Sequence, residues 1–242
     1  MLVTGGTSGV GRELVRRLVA LECRVATCGR DPERLAAVAA EFPGVLVLPV
    51  DLASPEAGTS LVERVVREFG GIDVVFNNAA VQEHDAFVGD QRAGLAERIA
   101  REVTTNVTAP MQITAASLAQ AGGRPIAVVN VTSGLALAPK KTAPVYCATK
   151  SAMRTFTLAV GYQAADAGSK VLLSEALLPL VDTPMTAGRG STSKKMSPGA
   201  VADAILRGVT RDRTEIRIGA AKALPVVLRL SVHAGRKILR NG

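Results

Sequence analysis

The sequence predicts a doubly wound α/β domain: a parallel sheet covered by helices on both faces. Three observations predict it. Short apolar runs alternate with helix-length segments along the chain. A glycine-rich turn follows the first run and opens the first helical segment. Apolar residues make up 48% of the 242 residues but aromatics only 3%, so Ala, Val and Leu must fill the interior. That supply suits strands buried on both faces. No internal repeat or linker divides the chain, and one domain over residues 1–242 is expected.

The elements follow in order. Strand one is Leu2–Thr4, and a helix follows over about 10–21. Strand two is Arg24–Cys28; Asp31 then caps a helix whose first position is Pro32, a residue with no N–H to waste there. Strand three is Val45–Val50, and Ser54-Pro55-Glu56 opens the next helix. Strand four, Ile72–Asn77, leads to a long helix over roughly 93–120. Pro125–Val131 is strand five, a second long helix covers about 144–166, and strand six spans about Val171–Leu177. The small, polar stretch 186–199 reads as a mobile substrate loop before a last helix starting near Pro198.

The turn Thr4-Gly5-Gly6-Thr7-Ser8-Gly9-Val10-Gly11 sits at the head of a βαβ unit, where glycines let backbone approach a pyrophosphate. This is the placement a Rossmann-type dinucleotide site requires. An acid at the end of strand two would hold the ribose 2′-hydroxyl and repel a 2′-phosphate. Gly29 stands there instead, eighteen residues after Gly11, and Arg30 offers a guanidinium suited to phosphate. Asp31 is a competing acid, but its capping position before Pro32 gives it another task. The expected cofactor is NADP(H), with NAD as the alternative.

Five ordered motifs resemble the classical short-chain dehydrogenase/reductase family, over essentially the whole chain. Thr4-Gly5-x-x-x-Gly9-x-Gly11 is similar to its cofactor motif, and Asp51-Leu52 to the pair flanking adenine. Asn77-Asn78-Ala79-Ala80 resembles a run that borders the ribose, with Ala80 replacing a usual glycine. Tyr146-x-x-x-Lys150 matches the catalytic pair; Ser133 lies thirteen residues upstream of Tyr146, and Asn106 twenty-seven before that. The resemblance implies a cofactor site of Gly5, Thr7, Ser8, Gly9, Val10, Gly11, Arg30, Asp51, Leu52, Asn78, Ala79, Ala80, Tyr146, Lys150 and Thr183. It also implies catalysis by Asn106, Ser133, Tyr146 and Lys150: Ser133 holds the substrate oxygen, Tyr146 donates the proton, and Asn106 holds a water linking Lys150 to solvent. Two departures stand out: Thr132 where a serine is common, and Pro179 where a glycine usually follows strand six. The stretches 143–150, 180–184 and 215–219 are also similar to a branch of oxidoreductases encoded beside teichoic-acid D-alanylation genes.

The chemistry also follows from the residue types. Tyr146 and Lys150 are four apart and share a helix face. A phenol of pKa about 10 is a poor catalyst at neutral pH, and an adjacent ammonium favours its phenolate. The expected reaction is NADPH-dependent reduction of a ketone or aldehyde, or of an imine, on a small organic substrate. A non-catalytic NADP(H)-binding regulator is the alternative, against which the intact tetrad argues.

Composition bounds the rest. Residues 189–242 hold twelve Lys or Arg against three acids, so the net charge of +8 lies at this end. Such a segment can meet an anionic membrane or polyanion. Pro225 and Gly235 interrupt any long interfacial helix, however, and docking on the body or a second subunit is the preferred account. No nucleic-acid module is present, no run reaches the roughly 18 apolar residues of a membrane span, and no metal spacing occurs among Cys23, Cys28 and Cys147. An odd number of thiols and an opening that runs straight into the glycine turn lead to a cytoplasmic expectation. Small residues on the long helices, including Ala115, Ala119, Ala148 and Ala152, lead to a homodimer or homotetramer.

Overall fold

The computed structural model describes residues 1–89, 92–188 and 195–240. Its seven strands are β1 (Leu2–Thr4), β2 (Ala26–Gly29), β3 (Leu46–Pro49), β4 (Val74–Asn77), β5 (Ile126–Ser133), β6 (Val171–Leu178) and β7 (Glu215–Arg217). All pair in parallel, in the order β3-β2-β1-β4-β5-β6-β7. The order reverses between β1 and β4, so a crevice opens at their C-terminal ends, where ligands bind in open sheets of this kind.

The helices are α1 (Gly9–Ala20), α2 (Pro32–Glu41), α3 (Ala57–Phe69), α4 (Leu95–Val103), α5 (Ala109–Ala121), α6 (Pro144–Asp166), α7 (Pro198–Val209), α8 (Leu224–Leu230) and α9 (Val232–Arg240). Two apolar cores lie on opposite faces of the sheet. One joins Leu14 and Leu18 of α1, Val38 of α2 and Ile205 of α7 to Val3 and Val129. The other joins Leu61 of α3 and Ile113 of α5 to Leu2, Val75 and Val128. The sheet is therefore doubly wound, as expected.

Local chemistry sets the element ends. The Asp31 carboxylate accepts the amides of Glu33 (3.1 Å) and Arg34 (3.2 Å), capping α2 as its sequence position requires. Ser197 accepts the amide of Ala200 at 3.2 Å and caps α7 ahead of Pro198. α6 runs over the expected 144–166, with Pro144 in its first turn.

Two expectations are corrected. The helix near Pro198 is not the last: β7, α8 and α9 follow it. The helix over 93–120 is two helices, α4 and α5, joined by a π-helical turn at Thr104–Thr108. The run Val103-Thr104-Thr105-Asn106-Val107-Thr108 holds poor helix formers, and Pro110 has no N–H for the Asn106 carbonyl. The basic C-terminal segment docks on the body, in line with the preferred account: the Lys141 amide donates to the Arg240 carbonyl at 3.1 Å, and Leu224 is buried. Of the expected mobile stretch 186–199, residues 189–194 lie outside the described residues. Its flanks are held: Met196 bridges Val181, and Lys195 Nζ donates to the Thr186 carbonyl at 2.9 Å.

Candidate functional site

The crevice begins with the turn from β1 into α1. Gly9 has φ +54°, the left-handed region that favours glycine, and an added methyl there would sit 3.0 Å from Thr183 Cγ2. An added methyl at Gly11 would overlap the Gly5 carbonyl and the Asn78 amide. The turn thus lies flat against Asn78–Ala79 with no side chain between, and Ser8 precedes α1 in extended conformation. This cradle of free amides at a helix N-terminus suits a pyrophosphate. Thr7 and Val10 belong to the same turn, and Thr7 faces Gly29, where any side chain would start 2.9 Å from Thr7 Cγ2. The site therefore gathers Gly5, Thr7, Ser8, Gly9, Val10, Gly11, Asn78, Ala79 and Thr183 from three separate stretches.

The far end of the crevice is charged. Arg30 is exposed just after β2. Burial pushes the Asp51 carboxyl up, but the Ala53 amide, Arg101 and Arg30 outweigh it and hold it below the usual range. Arg101 Nη2 lies 3.0 Å from Asp51 Oδ2. Leu52 is buried beside it, and Ala80 is half-buried at the end of the β4 run.

Strand β5 and helix α6 carry the remaining candidates. Ser133 ends β5, and its Oγ accepts the Leu135 amide at 3.2 Å. Tyr146 and Lys150 share one buried face of α6, at 8% and 3% exposure. Lys150 Nζ donates to the Val131 carbonyl at 2.9 Å and lies 5.5 Å from the centre of the Tyr146 ring. Burial pushes the Lys150 ammonium down to about 8, against an opposing pull from Glu102. Asn106 sits in the π turn: its Nδ2 donates to the Val81 carbonyl (2.8 Å) and Thr149 Oγ1 (3.2 Å), while its Oδ1 accepts the Val81 amide (2.9 Å). Both amide hydrogens are therefore given to protein acceptors.

A family model described as short chain dehydrogenase matches residues 1–194. The chain belongs to the short-chain dehydrogenase family. Its relatives include "Uncharacterized oxidoreductase DltE" of Bacillus subtilis, 32% identical over 89% of this chain and 86% of that protein. A short-chain dehydrogenase from Sphingobium yanoikuyae, solved in complex with NADPH, is 26% identical with a TM-score of 0.79, covering 96% of this chain and 94% of that one. A family member from Burkholderia phymatum in complex with NAD shares the fold at 19% identity and TM-score 0.82, covering 99% and 94%.

Several residues of this short-chain dehydrogenase matter to the site beyond the expected cofactor and catalytic residues. Thr4 Oγ1 accepts the amides of Asn78 and Ala79 at 3.0 Å each, tying the β4 end to the glycine turn. Asn77 Nδ2 donates to Asn130 Oδ1 at 2.8 Å, clamping β4 to β5. Asp85, at 7% exposure, receives Arg98 and Arg92 at 2.8 Å each and so folds the segment after β4. Its charge type was visible in the sequence; its partners, seven and thirteen residues away through an irregular stretch, were not. That segment and the one before α6 jointly line a cleft of about 590 Å³, with Phe87, Val88, Lys141 and Pro144 on its walls. Glu102 on α4 is also buried, at 1% exposure. Among the described residues no group of His, Cys, Asp or Glu could hold a metal, and no helix is long and apolar enough to cross a membrane.

Proposed function

We propose that this oxidoreductase uses NADPH to reduce a ketone or aldehyde, or a related imine, on a small organic substrate. The observation that carries the reading is the Lys150 ammonium, fixed by the Val131 carbonyl beside the Tyr146 ring at the C-terminal edge of the sheet. When bound, the cofactor supplies hydride. Ser133, at the end of β5, orients the substrate oxygen, and Tyr146 delivers a proton to that oxygen. The buried Lys150 charge favours the phenolate left on Tyr146. Replenishment of the proton then runs through water at the Asn106 main chain, whose carbonyl Pro110 deprives of its α-helical donor. The substrate enters between the segments 81–94 and 135–143, whose residues share the cleft beside Pro144.

Relatives of this fold carry either cofactor, so the NADPH preference rests on Gly29 and Arg30. Thr7 crowds any side chain at position 29, and Arg30 stands exposed where a 2′-phosphate would lie. We place the protein in the cytoplasm, in keeping with three unpaired cysteines, and assign it a homodimer or homotetramer. Leu158 (44% exposed) and Tyr162 (66%) leave an apolar stripe on α6 for a second copy to cover.

The test is Tyr146→Phe, which removes the hydroxyl and keeps the ring. NADPH affinity should stay within a few-fold, while steady-state turnover of an accepted carbonyl falls about 10²-fold or more. Full activity in this variant would overturn the reading. Binding of NADPH with no reduction across a broad carbonyl and imine panel would favour a regulatory role.

A further inference from the structure

Of the nine residues of α4, the one fully buried is a glutamate. Ionised carboxylates are costly to bury and normally sit against a cation. The other buried acids obey that rule: Asp85 meets Arg92 and Arg98, and Glu175 meets Arg154. Among the described residues Glu102 has no cation within ion-pair distance. Its recorded bond is a long one, 3.4 Å from the Glu83 amide to Oε1. It lies one turn before Asn106, on the helix that packs against α6, which carries Lys150. Lys150 is the mirror case, an ammonium buried at 3% exposure with a carbonyl for a partner and, among the described residues, no carboxylate within ion-pair distance.

We propose that Glu102 is the counter-charge of Lys150, a positioning residue that keeps the buried ammonium protonated beside Tyr146. The two act through space rather than by contact, which is effective where water does not screen them. The idea rests on the Tyr146–Lys150 reading above. Glu83 and Asp85 act on Glu102 from the segment before α4 and Cys147 and Lys150 from α6, with the buried Lys140 beside Cys147. Asp85 is already neutralised by its arginines, and Lys150 is the cation whose charge acts on Glu102. The electrostatics agree. Burial raises the Glu102 carboxyl to about 7, with the Glu83 amide and Lys150 opposing, while Glu102 is the charge that pulls Lys150 upward. Removing the carboxylate must therefore let Lys150 lose its proton at lower pH.

The experiment reads Lys150 directly in the full chain without cofactor, by following its 13Cε shift with pH. The resonance is assigned by its loss in Lys150→Arg. Glu102→Gln should lower the Lys150 midpoint by at least about 0.5 unit. Glu102→Asp, which keeps the charge, should restore most of that shift and serves if the glutamine variant does not fold. Glu83→Gln should leave the midpoint unmoved. An unchanged or raised midpoint in Glu102→Gln, or one lowered equally by Glu102→Asp, overturns the proposal. With an accepted substrate, the alkaline limb of kcat/KM should move down with the lysine. A shifted lysine under an unshifted limb would uphold the counter-charge and count instead against the catalytic reading of Lys150.

Discussion

Thr4→Val replaces a hydroxyl by a methyl of nearly the same shape, at a position 1% exposed. The change leaves packing intact and removes three hydrogen bonds at once. Two are the amides of Asn78 and Ala79, each 3.0 Å from Thr4 Oγ1; the third, to the Phe76 carbonyl, is a weak 3.3 Å. A fully buried orphaned amide costs about 1–3 kcal/mol. The Asn78 amide keeps a second acceptor, the Phe76 carbonyl at 2.9 Å, so the Ala79 amide is the one left without its partner, and Ala79 is only part-buried. The cost is about 1–2 kcal/mol, which lowers Tm by about 2–8 °C in a chain of this length. The chain has no Trp and two Tyr, so far-UV circular dichroism at fixed protein concentration is the suitable probe. Asn78 and Ala79 also form the wall behind the glycine turn. NADPH affinity, followed by the cofactor's own fluorescence, should therefore weaken about tenfold, a 1.4 kcal/mol effect. Thr4→Ser keeps the acceptor and should recover the affinity. A Thr4→Val protein with Tm within about 1 °C of wild type and unchanged affinity would refute the idea that this hydroxyl joins the two walls of the crevice.

Arg30→Ala should erase a preference for NADPH over NADH of about tenfold or more in paired fluorescence titrations, since it removes the guanidinium proposed to pair with the 2′-phosphate. Equal affinities in the wild type would sink the cofactor assignment. For assembly, light scattering at micromolar concentration should give a dimer or tetramer, and Leu158→Glu with Tyr162→Glu should shift it toward monomer. A monomeric wild type would end that assignment.

Much of the site was legible because its signals are local or ordered. Asp31-Pro32 announces α2 through capping chemistry that involves three neighbouring residues, and Pro144 opens a helix whose span the periodicity predicts at both ends. The tetrad spacing places Ser133 at a strand end and Tyr146 and Lys150 on one face of α6, where the structure has them. Glu102 escaped notice because a glutamate on an amphipathic helix ordinarily faces water; nothing within α4 says that α6 and the segment from Val81 will close over it. Asn106 shows where local signals stop. Its position follows from spacing, but its side chain is committed to Val81 and Thr149, twenty-five and forty-three residues away.

By itself the sequence determined the alternation of strands and helices, the glycine turn at the head of the first βαβ unit and the order of the chemical motifs. These depend on backbone preference, capping and period, which act over a few residues. Tertiary structure alone decided the rest. β7 has three residues, too few for any period, and is a strand because Glu215–Arg217 meets the edge of β6. The break between α8 and α9, the seat of Arg240 against Lys141 and the burial of Glu102 likewise arise from contacts between segments distant in sequence. Their cause is the closing of one surface on another, which no stretch of the chain carries within itself.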